Sequence, residues 1–142
     1  MPKHARASTK HSVLIVEDSV DFSNLQKFLV EDEGHEAIQF PMHEEDIVGW
    51  AKTHKPSVIL MDLALRRKGG MEFIEELKAE PATKKIPVII ITGRDLSAKE
   101  VLELQVRGVK YLRKGRVEVQ EIKDEIRRSV FSQTGPATEP SP

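Results

Sequence analysis

The chain has 142 residues, with 22 Lys and Arg against 23 Asp and Glu, and its formal net charge is −1 at pH 7. This length suits one domain with one hydrophobic core, and the balanced charge predicts no general attraction to nucleic acid or to a membrane surface. Cysteine is absent, which excludes disulfide scaffolds, thiolate metal sites and cysteine nucleophiles. Without an apolar run long enough for a bilayer or a secretion signal, we expect a cytoplasmic protein.

Composition divides the chain into three segments. Residues 1–10 are basic and small, which predicts a flexible arm. Residues 11–131 carry nearly all of the apolar runs and are predicted to form the folded domain. Residues 132–142 are rich in proline and almost free of apolar side chains, so we expect a disordered tail.

Four short apolar runs predict strands, and three of them are unbroken and rich in β-branched residues. Such runs are typical of parallel strands that are covered on both faces. They are residues 13–16, 58–61 and 88–91, followed by the less regular 109–112. A weaker run at 36–40 alternates between polar and apolar residues and stops at Pro41, which predicts an edge strand.

A segment with helical spacing of its apolar residues follows each of these runs. The segments are 22–29, 47–51, 73–77, a stretch opened by the capping-box pair Ser97 and Glu100, and 119–130. Strand and helix therefore alternate five times. This order predicts a doubly wound α/β fold, an open parallel sheet with helices on both faces, whereas a closed eightfold barrel would need far more chain.

Reactive or charged side chains follow four of the predicted strands. They are Glu17 with Asp18, then Asp62, then Thr92, and finally Lys114 beside an arginine. Ligands of open parallel sheets bind at the carboxyl ends of the strands. The fold would therefore gather three carboxylates, a hydroxyl and an ammonium at one edge of the sheet.

These residue types suit phosphoryl transfer to an aspartate. Three carboxylates close together repel one another, and a hard cation such as Mg²⁺ relieves that repulsion with oxygen ligands. The ammonium of Lys114 would stabilise the charge of a transferring phosphoryl group, and the hydroxyl of Thr92 could donate to one of its oxygens. Asp62 would then be the nucleophile that forms an acyl phosphate.

Four sequence blocks resemble the signatures of the response-regulator receiver family: LIVED, VILMDLAL, VIIITG and YLRK. The distances between Asp62, Gly70, Thr92 and Lys114 agree with the same family. The resemblance covers roughly residues 11–131 and implies a flavodoxin-like, five-stranded parallel sheet with strand order 2-1-3-4-5. It also implies a stand-alone signalling module of a two-component phosphorelay, not an enzyme with a separate substrate.

The resemblance assigns roles to the residues at the edge of the sheet. Asp62 matches the phosphoacceptor. Glu17 and Asp18 match the acidic pair that, with Asp62 and the backbone carbonyl of Ala64, holds Mg²⁺ or Mn²⁺. The expected phosphoryl donor is a sensor histidine kinase or a histidine phosphotransfer protein. The expected readout is contact with a downstream protein, by a monomer or weak homodimer that binds neither nucleic acid nor membrane.

Three further residues match the switching part of the family pattern. Thr92 matches the hydroxyl residue that moves toward the phosphoryl group, and Lys114 matches the lysine that pairs with it. Tyr111 lies where the family has an aromatic side chain that changes rotamer as Thr92 moves.

Several positions depart from the family pattern. Gly115 replaces the proline that usually follows the lysine, often through a cis peptide, so a trans bond and a different placement of Lys114 are both open. The loop after Asp62 has Arg66 where proline is usual, within a run of three cations. Gly93 stands where alanine is commoner, and Arg94 occupies a position that influences phosphoryl lifetime.

Two alternative functions remain at this point. The chain could be a receiver-like binding module that acts without phosphorylation, which Gly115 and the basic loop would favour. It could also be a small metal-dependent hydrolase on the same sheet. A phosphatase of the haloacid-dehalogenase type would need a second aspartate two residues after its nucleophile, and Ala64 at that position argues against it.

Overall fold

The computed structural model describes residues 11–138, with side chains as far as Phe131. Within this range, strands and helices alternate. The strands are β1 (Ser12–Val16), β2 (Glu36–Gln39), β3 (Val58–Met61), β4 (Val88–Thr92) and β5 (Val109–Arg113). The helices are α1 (Val20–Asp32), α2 (Ile47–His54), α3 (Gly70–Ala79), α4 (Ala98–Val106) and α5 (Val119–Thr138). The predicted flexible arm, residues 1–10, lies outside the described part of the chain.

The strands form one parallel sheet with the order β2-β1-β3-β4-β5. This confirms the predicted doubly wound α/β fold and its strand order. Strand β2 is the edge strand that the alternating run predicted, and none of its residues is fully buried. The three unbroken apolar runs became the central strands β1, β3 and β4, because a strand covered by helices on both faces has no polar side.

Two hydrophobic clusters cover the two faces of the sheet. Side chains alternate between the faces along a strand, so Leu14 and Val16 of β1 join one cluster while Val13 and Ile15 join the other. Helices α2, α3 and α4 complete the first cluster, and α1 and α5 complete the second. Burial of both faces fixes the register of the central strands, and with it the alignment of their carboxyl ends.

The predicted helix signals correspond to observed ends. The hydroxyl of Ser97 accepts a hydrogen bond from the backbone N–H of Glu100, whose carboxylate accepts one from the N–H of Ser97, which is a capping box. Ser19 caps α1 by accepting from the N–H of Phe22. Gly34 follows α1 with a φ of 88°, a left-handed conformation that favours glycine.

The last helix is longer than the sequence pattern predicted. The apolar spacing placed its end near residue 130, but the backbone of α5 is helical as far as Thr138. The tail predicted to be disordered therefore begins with helical backbone over residues 132–138. Residues 139–142 lie outside the described range. In the part of the chain that the structure describes, no helix is both long and apolar enough to cross a membrane.

Candidate functional site

The predicted site residues lie at one edge of the sheet because all of the strands run in the same direction. Asp62 directly follows β3, and its backbone N–H donates to the carbonyl of Val16 at the end of β1, at 3.0 Å. On the other side, the backbone N–H of Lys114 donates to the carbonyl of Thr92, the last residue of β4, at 2.8 Å. These ladder contacts bring the ends of β1, β3, β4 and β5 together at one rim.

The side chain of Lys114 joins two carboxylates at this rim. Its Nζ lies 3.2 Å from Oδ2 of Asp62 and 3.1 and 3.2 Å from the two carboxylate oxygens of Glu17. Asp62 is 5 % exposed and Glu17 is 6 % exposed. Ion pairs are weakly screened where water is excluded, so the position of Lys114 is set by both acids together.

Lys114 reaches this position through a turn without a cis peptide. None of the described peptide bonds is cis, and Gly115 supplies the bend with a φ of 84°. The departure from the usual lysine–proline sequence therefore does not remove the lysine from the site. Its ammonium also lies 4.5 Å from the ring centroid of Phe22, in the first turn of α1. Sequence reasoning took Phe22 only as a residue on a helix face, and its place shortly after the acidic pair was the available signal.

Asp18 faces another partner. Its Oδ2 accepts a hydrogen bond of 2.6 Å from the backbone N–H of Arg66, in the loop after β3. Among the described residues, no group of three or more His, Asp and Glu side chains is arranged to hold a metal ion. The three carboxylates expected to bind a metal thus share one edge of the sheet without forming a ready set of ligands, since Lys114 lies between Glu17 and Asp62.

The chemistry of this edge nevertheless fits a divalent cation. Oε1 of Glu17 is fully buried and accepts no hydrogen bond, although Nζ of Lys114 lies 3.1 Å away. Burial raises the pKa of Glu17, and the charge of Asp62 raises it further, while the N–H of Ser19 and Lys114 act in the opposite direction. A buried anionic oxygen without a donor, beside a second carboxylate, is a donor set that Mg²⁺ or Mn²⁺ prefers.

Thr92 and Tyr111 both contact the loop between β4 and α4. Thr92 is fully buried, and its hydroxyl accepts a hydrogen bond of 3.4 Å from the backbone N–H of Arg94. The hydroxyl of Tyr111 donates to the carbonyl of the same Arg94, at 3.1 Å. Both predicted switch residues therefore form a hydrogen bond with the backbone of the same residue, Arg94.

The loop after Asp62 is held by one backbone hydrogen bond and by two ion pairs with neighbouring elements. Ala64 donates its N–H to Oδ1 of Asp62 at 3.2 Å. Arg67 pairs with Glu45 at 3.3 Å and Lys68 pairs with Glu76 at 2.6 Å. The basic run is thus balanced by acids of neighbouring elements.

Gly70 packs against the backbone of the same loop. A Cβ on Gly70 would lie 2.8 Å from Cα of Leu63 and closer still to the carbonyl oxygen of Asp62. Both neighbours are main-chain atoms and cannot turn aside as a flexible side chain can. The spacing of Gly70 from Asp62 was visible in the sequence, but its cause is this close approach of α3 to the loop.

Comparison with known proteins agrees with this geometry. The model of the response regulator receiver domain matches residues 13–127. The polar-differentiation response regulator DivK of Brucella anthropi is 34% identical over 89 residues, which cover 63% of this chain and 72% of DivK. The phosphate regulon transcriptional regulatory protein PhoB of Escherichia coli is 28% identical over 102 residues, covering 72% of this chain and 44% of PhoB. This chain thus spans less than half the length of PhoB.

A solved structure shares the fold. The chemotaxis response regulator CheY4 of Vibrio cholerae matches with a TM-score of 0.71 at 20% sequence identity, over 84% of this chain and 98% of CheY4. The family match covers most of the chain, so the chain belongs to the response regulator receiver domain family. The family is one of signalling phosphoacceptors, whose members bind a divalent metal and contact histidine kinases and downstream targets.

Proposed function

We propose that Asp62 is the residue that accepts the phosphoryl group. The observation that carries this proposal is the 3.2 Å contact between Nζ of Lys114 and Oδ2 of Asp62 at the carboxyl edge of the sheet. A positive charge at this distance from the nucleophile lies where negative charge accumulates during phosphoryl transfer. Oδ1 of Asp62 is meanwhile held by the N–H of Ala64, so the carboxylate has a defined orientation.

The proposed reaction is an exchange of one bond to phosphorus for another. A carboxylate oxygen of Asp62 attacks the phosphorus of a phosphohistidine, and a phosphorus–oxygen bond forms. The phosphorus–nitrogen bond breaks, and its electron pair stays on the imidazole nitrogen, which takes up a proton. Lys114 stabilises the oxygens of the phosphoryl group as it passes.

A divalent ion is part of the proposed site. Glu17, Asp18, Asp62 and the backbone carbonyl of Ala64 would hold Mg²⁺ or Mn²⁺. When bound, the ion supplies positive charge that offsets the repulsion between the carboxylates and the phosphoryl oxygens. The buried Oε1 of Glu17, which accepts no hydrogen bond although it lies 3.1 Å from the ammonium of Lys114, supports this assignment.

The proposed switch uses the loop that follows β4. The hydroxyl of Thr92 would give up the hydrogen bond that it accepts from the N–H of Arg94 and would donate one to a phosphoryl oxygen instead. The loop would then lose one of its hydrogen bonds to β4. Tyr111, which holds the carbonyl of Arg94, would then change rotamer. A local change of charge is thereby passed to the surface around α4 and β5.

The proposed partners are a sensor histidine kinase or histidine phosphotransfer protein as the donor, and a downstream protein as the reader. The cytoplasm is the proposed location. We further propose a monomer or weak homodimer that signals without binding nucleic acid or membrane.

Intact-mass spectrometry tests the assignment of Asp62. We expect incubation with acetyl phosphate and Mg²⁺ to add the mass of one phosphoryl group, and chelation of the metal to prevent the addition. Asp62→Asn should remove the addition, while the control Asp95→Asn, an exposed acid after β4, should retain it. Equal incorporation into Asp62→Asn and the unaltered chain would overturn the assignment.

A second candidate function has its own observation. The ion pairs of Lys114 with Glu17 and Asp62, together with the contact of Asp18 with Arg66, already satisfy much of the site without a metal. A module whose site residues are already paired with one another would bind its partner without phosphorylation. It would gain no phosphoryl mass from any small donor, and its amide NMR spectrum would not respond to Mg²⁺ with beryllium fluoride.

A further inference from the structure

The ring of Phe22 lies beside the ammonium of Lys114, a contact to which the proposed function gives no role. Nζ of Lys114 is 4.5 Å from the centroid of this ring, which is within the range of a cation–π contact. The backbone N–H of Phe22 donates to the hydroxyl of the cap residue Ser19, which holds the first turn of the helix that carries the ring. The half-buried side chain also packs against the hydrophobic cluster formed with α1 and α5.

The backbone next to Lys114 does little to restrict its side chain. Gly115 has a φ of 84°, and glycine allows a wider range of backbone angles than the proline usual at this position. Lysine has a flexible four-carbon stem, and the side chain of Lys114 keeps 24% of its exposure. Its position must therefore come from the groups that surround the ammonium.

Three groups surround that ammonium, and two of them change when the site works. Asp62 loses its free carboxylate when it becomes an acyl phosphate, and the carboxylate of Glu17 is a proposed metal ligand. The attraction of the Phe22 ring for a cation arises from the π electrons and does not depend on the charge of either acid. The contact with Phe22 can therefore persist through the reaction.

We propose that Phe22 is a positioning residue, whose ring holds the ammonium of Lys114 beside Asp62 during phosphoryl transfer. This inference rests on the proposed role of Asp62 as the phosphoacceptor. Phe22 makes no contact with the reacting atoms in the proposal and acts through Lys114. Its aromatic face supplies part of the restraint that the flexible Gly115 turn does not give.

NMR of the unphosphorylated protein tests the contact without any chemistry. Protons held over an aromatic face shift upfield, so the ε-methylene protons of Lys114 should lie upfield of those of exposed lysines. Phe22→Leu should remove this shift, and Phe22→Tyr and Phe22→Trp should retain it. The matched control is Phe28→Leu, which alters an exposed aromatic residue of the same helix and should leave the shift unchanged.

The rate of phosphoryl incorporation from acetyl phosphate with Mg²⁺ tests the consequence. We expect Phe22→Leu to slow incorporation about three- to tenfold, and we expect Phe22→Tyr to react at nearly the normal rate. Leucine and tyrosine both keep the apolar bulk of the side chain, but only tyrosine keeps the π face. Phe28→Leu should react at the normal rate. Thermal unfolding of each variant, followed by circular dichroism, separates this effect from a loss of fold.

Two results would overturn the inference. The first is an unchanged position of the ε-methylene signals in Phe22→Leu. The second is a rate that follows the stability of the variants, so that leucine and tyrosine slow the reaction equally. Failure of the proposed function itself looks different, because the unaltered chain would then gain no phosphoryl group while the NMR comparison still reports on the contact.

Discussion

Lys114 and Asp62 are 52 residues apart in the sequence, yet Nζ of the lysine lies 3.2 Å from Oδ2 of the aspartate. The two residues follow β5 and β3, which are separated in the sheet by β4. The contact therefore depends on the order and register of three strands and on a turn formed by Gly115. Its chemical role can be tested through either residue.

Replacement of the ammonium should slow phosphorylation without preventing folding. We expect Lys114→Met to reduce the rate of phosphoryl incorporation from acetyl phosphate about a hundredfold, because the charge that stabilises the transferring group is lost. The matched control is Lys110→Met, on the strand that Lys114 follows, whose exposed side chain pairs with Glu125 at 3.9 Å. Stopped-flow quench with intact-mass detection measures both rates, and equal rates for the two variants would contradict the role of Lys114.

Gly70 should tolerate no side chain. Alanine is intrinsically better than glycine in a helix by about 1 kcal/mol, so propensity alone predicts that Gly70→Ala stabilises the protein. We expect instead a loss of about 1–3 kcal/mol in the free energy of unfolding, since the new methyl group meets the backbone of Asp62 and Leu63.

Urea unfolding of a neighbouring variant provides the control for Gly70. A Cβ on Gly69 would meet nothing nearer than Oε1 of Glu72, at 4.0 Å. Gly69→Ala, at the cap of α3, should therefore lose only about 0.5 kcal/mol. A Gly70→Ala protein as stable as Gly69→Ala would mean that the loop after Asp62 does not need this close packing.

Glu17 should make stability depend on pH in a defined direction. Burial first, and then the charge of Asp62, raise the pKa of Glu17 above the value of 4.5 expected for an unfolded chain. As the pH rises through the window above 4.5, the unfolded chain has released this proton while the folded chain still holds it. The folded state therefore loses stability across that window, and the loss is fully present above the folded pKa.

Glu17→Gln removes this titration and should therefore raise the thermal unfolding midpoint at neutral pH in metal-free buffer. The advantage over the unaltered chain should shrink as the pH falls toward 4.5 and below. Differential scanning calorimetry of both proteins across this range measures the difference, in which other titrating groups largely cancel. A difference that is constant with pH would show that burial of the charge is not its cause.

The sheet was predictable from the sequence because each of its central strands contains an uninterrupted apolar run. Three unbroken apolar runs separated by helical spacing leave few arrangements other than a doubly wound parallel sheet. The capping box of Ser97 and Glu100 likewise gave the start of α4, since both of its hydrogen bonds are local in sequence. The predicted end of α5, near residue 130, was wrong. The polar composition of residues 132–138 carries no signal for a helix that continues beyond Phe131.

The candidate site was predictable as a set of residues but not as a set of contacts. The carboxyl ends of parallel strands must meet, so Glu17, Asp62 and Lys114 could be assigned to one edge. The direction of each side chain depends on partners that are distant in sequence. Asp18 faces the N–H of Arg66, 48 residues away, and Lys114 lies over Phe22, and neither contact has a local signature.

Chemical trapping of the phosphorylated residue tests the central claim most directly. Sodium borohydride reduces the carbonyl of an acyl phosphate to an alcohol, which converts a phosphorylated aspartate to homoserine. After incubation with acetyl phosphate and Mg²⁺, we predict homoserine at position 62 by peptide mass spectrometry, and none when the donor or the metal is omitted. Homoserine at another aspartate, with Asp62 unmodified, would contradict the assignment of Asp62 as the phosphoacceptor.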